Sequence, residues 1–288
     1  DGIRDLVRSR GLGDVYKRQI KDIAKDLAAS TTIKGKLVAD KNIKSVNFNI
    51  DVVNGIAYLS GVARTQKEMN LVLPLKNIVR IKDTIAEYVP SFFFLHGYGS
   101  NMQDLDGLSH QFDESWTSIS LQASIPVQFN GWAWADLDYN NLGILPKPEQ
   151  MINHRKAVIE SIDICISKLN IDATRIHLLG FSQGAALAMY CSLISPKKFC
   201  SVVSVCGFLP TDQIKEKIET NLVRHLNVLM VNGRKDSIVP LSLAKSTRDG
   251  IKSLGMKPDY KEYDMEHSIS CLLYTSPSPR DRTRSRMP

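Results

Sequence analysis

The stretch "RIHLLGFSQGAALAMY", residues 175–190, constrains the fold of this 288-residue chain more than any other. Its apolar run from Ile176 to Leu179 reads as a buried strand. Gly180-Phe181-Ser182-Gln183-Gly184 then turns the chain, and the small residues Ala185 and Ala186 open a helix. Glycines are needed two residues either side of the serine, because bulk there would collide with the neighbouring strand and helix. Ser182 is thereby held at the tip of a strained turn. It also lies at a helix N-terminus, where free N–H groups and the dipole favour negative charge.

The rest of residues 90–270 agrees with that turn. Apolar runs such as "FFFL", "TSISLQA", "FCSVVSVCG" and "LNVLMVNG" alternate with helical patterns such as "PEQMINHRKAVIESIDICISKLNI" and "PLSLAKSTRDGIKSLG". Short continuous apolar strands separated by helices predict a mostly parallel α/β sheet covered on both faces. Sites in such sheets form at the carboxyl ends of the strands.

A serine is a weak nucleophile without a base and an acid to orient that base. Both are expected after it, in the order Ser, Asp, His. "NVLMVNGRKDSIVP" offers Asp236 in a loop after a strand, and "YKEYDMEHSIS" offers His267 in the same setting. The bland alternatives are a solvated loop carboxylate and a surface histidine. Asp264 is the rival acid, placed too close to His267 to point at it. His177 lies inside the strand before the turn, and His225 precedes a strand rather than following one. In "FFFLHGYGSNMQDL" a strand ends in His96-Gly97-Tyr98-Gly99. That loop is expected to place the Tyr98 N–H beside the serine, where with the Gln183 N–H it forms a pair of donors for an oxyanion. His96 is expected to hold the turn by hydrogen bonds. In "NGWAWADLDYN", Trp132, Trp134 and Tyr139 either line a substrate pocket or belong to the core and its rim.

Four motifs in order, "FLHGYGSN", "NGWAWADLD", "GFSQGAALA" and "MEHSIS", resemble the small α/β-hydrolase group of carboxylesterases, lysophospholipases and acyl-protein thioesterases. The resemblance implies a serine hydrolase that cleaves small-molecule or lipid esters or thioesters through an acyl-enzyme, with no metal or organic cofactor. By position it makes Ser182 the nucleophile, Asp236 the orienting acid, His267 the general base, and Tyr98 and Gln183 the oxyanion donors. Three departures from the family pattern stand out. Asn232 occupies a position where the family often has histidine, the strands that precede "FLHG" are expected to be absent or replaced by the first half, and the helix after "HSIS" is expected to be missing.

Residues 20–89 read as a separate small α+β domain. Ile20, Ile23, Ala24 and Leu27 recur at helical spacing, with Ile33 and Leu37 continuing the face. "SVNFNIDVVNGIAYLSGVA" then alternates through Val46, Phe48, Ile50 and Val52, and Asn54-Gly55 is the favoured two-residue hairpin turn. "TQKEMNLVLPLKNIV" predicts a second helix, kinked or ended at Pro74, and "KDTIAEYV" a closing strand. This order, with "VNGIAYLSGVA" at its centre, resembles the BON domain, a family of bacterial envelope proteins associated with phospholipid binding. The resemblance implies phospholipid contact through this half.

The two ends belong to neither half. A single DNA element read on one strand encodes "SRGLGDVYKRQ", residues 9–19; read on the other strand in a shifted frame it encodes "CLLYTSPSPRD", residues 271–281. It resembles a sequencing adaptor, so residues 1–19 and 271–288 are set aside as scars. They carry +2 and +3 of the formal net charge of +7, leaving only +2 on residues 20–270. The basic balance therefore gives no ground for a nucleic-acid partner. No apolar run reaches the roughly 20 residues of a membrane span. Cys165, Cys191, Cys200 and Cys206 have no zinc-type spacing and read as buried free thiols. A hydrolase alone is expected in the cytoplasm, and a genuine fusion with a BON-like half in the periplasm. Two alternatives stay open: a phospholipid-binding envelope protein with an incomplete or inactive hydrolase half, and two genes joined at the 89–91 junction by sequence assembly.

Overall fold

The computed structural model describes residues 75–269 apart from 81–87, 113–114, 138–146, 170 and 215–216, together with strands 48–53 and 56–61 and most of 24–35. The strands, in chain order, are β1 (Phe48–Val53), β2 (Ile56–Gly61), β3 (Asn77–Arg80), β4 (Val89–Leu95), β5 (Thr117–Leu121), β6 (Ile125–Val127), β7 (Gly131–Ala133), β8 (Ile171–Phe181), β9 (Ser201–Val205), β10 (Asn227–Gly233) and β11 (Asp259–Tyr263). The longer helices of the second half are α1 (Pro148–Lys168), α2 (Gln183–Ile194) and α3 (Leu241–Ser253).

One sheet runs in the order β1-β2-β3-β5-β4-β8-β9-β10-β11. From β5 to β11 every neighbouring pair is parallel, while β1–β2, β2–β3 and β3–β5 are antiparallel. The mostly parallel α/β sheet expected from the sequence is present. The order reverses between β4 and β8: the chain leaves β4 toward β5 on one side, and β8 leads to β9 on the other. Loops leaving the carboxyl ends of β4 and β8 therefore diverge and open a crevice. His96 to Gly99 follow β4 there, and Ser182 follows β8.

The "SFFFL" run shows how the sheet is buried on both faces. Phe93 and Leu95 pack with Ile119, Leu178 and Leu187 in the main core beneath α1 and α2, while Phe92 and Phe94 point the other way against Leu105, Phe112 and Trp116. Burying each such side chain contributes about 1.5–3 kcal/mol. Residues Gln183 through Leu193 of α2 are all buried, so the helix behind Ser182 is clamped on every side. Farther along the second face Val203, Leu229 and Tyr263 are only half-buried.

The first half departs from expectation in two places. Residues 77–80, read from the sequence as the end of a helix, form β3 and pair with β5. The β-branched Ile78 and Val79 suit a strand, and both side chains are buried where β3 extends the sheet beside β5. A strand therefore precedes "FLHG" from within residues 20–89, which fits the second of the two expectations, replacement by the first half. In the 24–35 segment the described residues are helical, but Leu27, expected on an apolar face, is 68% exposed. The β1–β2 hairpin itself forms, with Val53 opposite Ile56; the Asn54-Gly55 turn lies outside the described residues. The closing strand expected at 82–89 lies outside the described residues except at its end, where Val89 begins β4. Both scar segments and Cys271 also lie outside the described residues.

Among the described residues no helix is long and apolar enough to cross a membrane. Cys165, Cys191 and Cys206 are buried free thiols as expected, but Cys200 is half-exposed, with its thiol on the Thr174 carbonyl.

Candidate active site

Ser182 links β8 to α2 with φ 53° and ψ −117°, a strained conformation for a residue with a side chain. Its N–H donates to the Val205 carbonyl (2.9 Å), and its carbonyl accepts from Ala185 and Ala186. The flanking glycines are sterically required. A Cβ on Gly180 would lie 2.3 Å from the Gly184 oxygen, and one on Gly184 would lie 2.1 Å from the Leu95 oxygen and 2.4 Å from that of His96. The turn is thus wedged between its own helix and the end of β4.

His267 and Asp236 reach Ser182 from the loops after β11 and β10. His267 Nε2 lies 2.9 Å from Ser182 Oγ, and His267 Nδ1 lies 2.8 Å from Asp236 Oδ2. The other carboxylate oxygen, Oδ1, accepts the N–H groups of Ile238 (2.9 Å) and Val239 (2.8 Å). With that oxygen tied to the backbone, Oδ2 is aimed at the imidazole, whose Nδ1 then carries its proton and whose Nε2 faces the serine as an acceptor. The Asp236 side chain has no exposed surface and that of His267 is 18% exposed.

The rivals are elsewhere. Asp264 pairs with Lys235 at 3.0 Å, both side chains 64% exposed. His177 bonds Ser201, and His225 bonds the Pro196 and Phe199 carbonyls.

The loop after β4 is fixed from below. His96 is buried; its Nδ1–H donates to the Gly97 carbonyl (2.7 Å) and its Nε2 accepts from the Ala123 N–H (3.1 Å). Burial pushes its pKa below the ordinary value of 6.5, so the ring is held neutral. The next residue abuts the serine: a Cβ on Gly97 would stand 3.5 Å from Ser182 Cβ. Tyr98 follows and is 36% exposed, whereas Gln183 is buried. The Gln183 amide also holds the opposite wall, accepting from Trp134 N–H (2.8 Å) and donating to the Ala135 carbonyl (2.6 Å).

The two tryptophans differ in position. Trp134 is fully buried in the main core, its indole N–H on the His96 carbonyl at 2.8 Å. It therefore supports the loop from behind rather than facing an open pocket. Trp132 is half-buried, with Lys76 Nζ 5.3 Å from its ring centre, and its backbone bonds Gly99 and Ser100. Tyr139 lies outside the described residues. The β6–β7 ribbon that carries Trp132 has no two-residue turn signature; its tip uses Phe129 and Asn130 at positive φ before Gly131. Asn232 is fully buried, and its amide donates to Gly207 at 3.4 Å.

Among the described residues, one group of His, Cys, Asp or Glu side chains is close enough to share a metal ion: Cys206, Asp236 and His267, with donor atoms within 4.8 Å of one another. Its imidazole already bonds both the Asp236 carboxylate and Ser182. Sequence reasoning did not select Cys206, because its neighbours "SVVSV" and "GFLP" carry no signal beyond burial.

Comparison with known proteins gives independent findings. The profile of the phospholipase/carboxylesterase family matches residues 77–272, and that of the BON domain residues 25–74. Acyl-protein thioesterase 1 of Schizosaccharomyces pombe is 26% identical over 204 residues, covering 67% of this chain and 90% of that protein. An uncharacterised protein of Anaplasma centrale is 41% identical over 70 residues, 24% of this chain; the chain spans 46% of that relative's length. Among solved structures, a carboxylesterase of Mesorhizobium loti superposes with a TM-score of 0.60 at 15% identity, over 69% of this chain and 90% of that one. At that identity the likeness is one of fold.

Proposed function

Because the chain belongs to the phospholipase/carboxylesterase family, with 77–272 as the matching part, we propose that it hydrolyses carboxylic esters or thioesters through Ser182, His267 and Asp236. The observation that carries this reading is the unbroken hydrogen-bond chain from Ser182 Oγ to His267 (2.9 Å) and on to Asp236 (2.8 Å).

His267 Nε2 takes the Ser182 proton as Oγ attacks the substrate carbonyl. The oxyanion that develops is stabilised by the backbone N–H groups of Gln183, at the start of α2, and Tyr98. His267, now cationic, gives its proton to the leaving alcohol or thiol, and an acyl-serine remains. Water then gives a proton to His267 as it attacks the acyl carbonyl; the acyl–Oγ bond breaks, the acid leaves, and Ser182 Oγ takes the proton back from His267. Asp236 stays ionised throughout and keeps the imidazole in the tautomer this requires. No step calls for a metal or an organic cofactor. The substrate is a small-molecule or lipid ester, and Trp132 is the aromatic placed to line its pocket.

The family match from residue 77 and the pairing of β3 with β5 support a boundary between the two domains at 74–77. The BON part is assigned phospholipid contact. A genuine fusion of the two places the enzyme in the periplasm, and a hydrolase alone in the cytoplasm; a DNA read from the source that crosses both the 74–77 boundary and codons 80–100 decides between them.

The catalytic reading is tested with p-nitrophenyl butyrate and an acyl-thioester at saturating concentration. Wild type is expected to turn over both, and Ser182→Ala neither. Undiminished turnover in Ser182→Ala overturns it.

A further inference from the structure

Cys206 sits directly under the proposed catalytic residues. It follows β9, one residue beyond the Val205 carbonyl that holds the Ser182 N–H, and its own N–H donates to the Val231 carbonyl at 2.7 Å. Its φ is +49°, in the left-handed region that residues with side chains seldom occupy. Strain of this kind persists where the surroundings enforce a side-chain direction. The direction is toward the pair of residues that supports Ser182: Sγ lies within 4.8 Å of both a carboxylate oxygen of Asp236 and a ring nitrogen of His267, and 3.7 Å from the Ser268 carbonyl oxygen.

The chemistry of those neighbours fixes what the thiol does. A carboxylate and a carbonyl are both acceptors, so the sulfur contributes its S–H to them as a donor. Burial first, and the Asp236 charge second, push the thiol up to about 12, so the proton stays on sulfur at any working pH. A neutral donor stabilises the carboxylate without bringing in a cation that would compete with the imidazolium formed during reaction. The Ser268 carbonyl belongs to the residue after His267, so the same S–H also reaches the segment that carries the base.

We propose that Cys206 is a positioning residue, whose S–H, shared between the Asp236 carboxylate and the Ser268 carbonyl, keeps acid and base in register with Ser182. This rests on the hydrolase reading above. It goes beyond that reading in adding a fourth residue that touches no substrate and acts through Asp236 and His267.

The test uses the full chain in four forms: wild type, Cys206→Ser, Cys206→Ala and Cys206→Gly. Serine keeps a donor at the same place. Alanine removes it, and glycine removes it while relieving the positive φ, which covers the case of an alanine variant that fails to fold. Two readouts are taken. The first is steady-state ester hydrolysis: kcat is expected to fall about tenfold in the alanine and glycine variants, the loss of one hydrogen bond to a charged acceptor, with KM unchanged. The serine variant recovers most of that loss. The second is the low-field proton resonance of the His267 Nδ1–H, which needs no turnover. It is expected to move or broaden in the alanine and glycine variants and to persist in wild type and serine. A resonance and kcat unaltered by alanine overturn the proposal. So does a serine variant as impaired as alanine, which would make the thiol mere packing. An inactive wild type whose resonance still responds to alanine sinks the hydrolase reading and leaves the positioning role standing.

Discussion

Gly184→Ala puts one methyl group where the account of the serine turn leaves no room. The new Cβ would lie 2.1 Å from the Leu95 oxygen and 2.4 Å from the His96 oxygen. Both are backbone atoms at the end of a strand buried on both faces, so neither can swing away as a side chain would. A normal carbon–oxygen contact is about 3.3 Å, so α2 and β4 must separate by roughly 1 Å. Forced separation of well-packed elements costs about 1–3 kcal/mol. For a domain of this size that lowers Tm by about 2–12 °C. Activity should suffer more. The same movement parts Ser182 and Gln183, on one element, from Gly97 and Tyr98, on the other. Misplacement of about 1 Å can cost about 100-fold in rate. A thermal melt and an ester-hydrolysis assay on purified Gly184→Ala measure both. Gly107→Ala is the control, since nothing lies within 4 Å of a Cβ there. If Gly184→Ala melts with wild type and keeps full kcat, α2 does not pack on β4 as described, and the geometric basis for the Tyr98 and Gln183 donor pair is lost.

Other perturbations bear on the remaining parts. His96, His154 and His177 all have pKa values lowered from 6.5, by burial first in each case. Below 6.5 the unfolded chain binds more protons than the folded one, so the stability these rings contribute is complete above 6.5 and is lost as pH falls through their folded values. Tm should drop between pH 7 and pH 5, and a flat or rising Tm over that interval contradicts the burial argument. Trp134→Phe removes the indole donor from the His96 carbonyl and should cost about 1–3 kcal/mol in a denaturant melt; no change would mean the loop is held by other contacts. Asp236→Asn should lower kcat by about 10³–10⁴-fold by favouring the wrong imidazole tautomer. Asp264→Asn removes an exposed ion pair worth about 0–1 kcal/mol and should leave kcat near wild type. The reverse order of effects would move the acid to Asp264.

Legibility in the sequence followed how local the determining physics is. The turn around Ser182 could be read because its steric demands act within five residues, and the collisions at Gly180 and Gly184 are of the kind that its glycines imply. Asp236 and His267 could be named from chain order and the strand preceding each, and their side chains do meet, with the ring nitrogens 2.8 and 2.9 Å from their partners. What stayed hidden depends on distant pairing. Asn77–Arg80 becomes a strand because β5, some forty residues later, offers an edge; nothing within "PLKNIVR" distinguishes that from a helix end. The β6–β7 ribbon escaped because its turn relies on Phe129 and Asn130 at positive φ rather than on an Asn-Gly pair. Trp134 could be a pocket wall or a core residue on sequence grounds, and its burial depends on His96 and Gln183, which reach it from two other elements. Cys206 was read only as a buried thiol because the side chains it lies near are 30 and 61 residues away, at Asp236 and His267.

If Ser182 is the nucleophile, it is the site at which an electrophile is captured covalently. The full chain is incubated with a fluorophosphonate, digested, and the modified residue identified by mass spectrometry. One stoichiometric phosphonyl group is expected on Ser182, abolished in Ser182→Ala and strongly slowed in His267→Ala, because the attack needs the imidazole as base. Stoichiometric labelling at any other residue, or a Ser182 that stays unmodified while the ester is turned over, contradicts it.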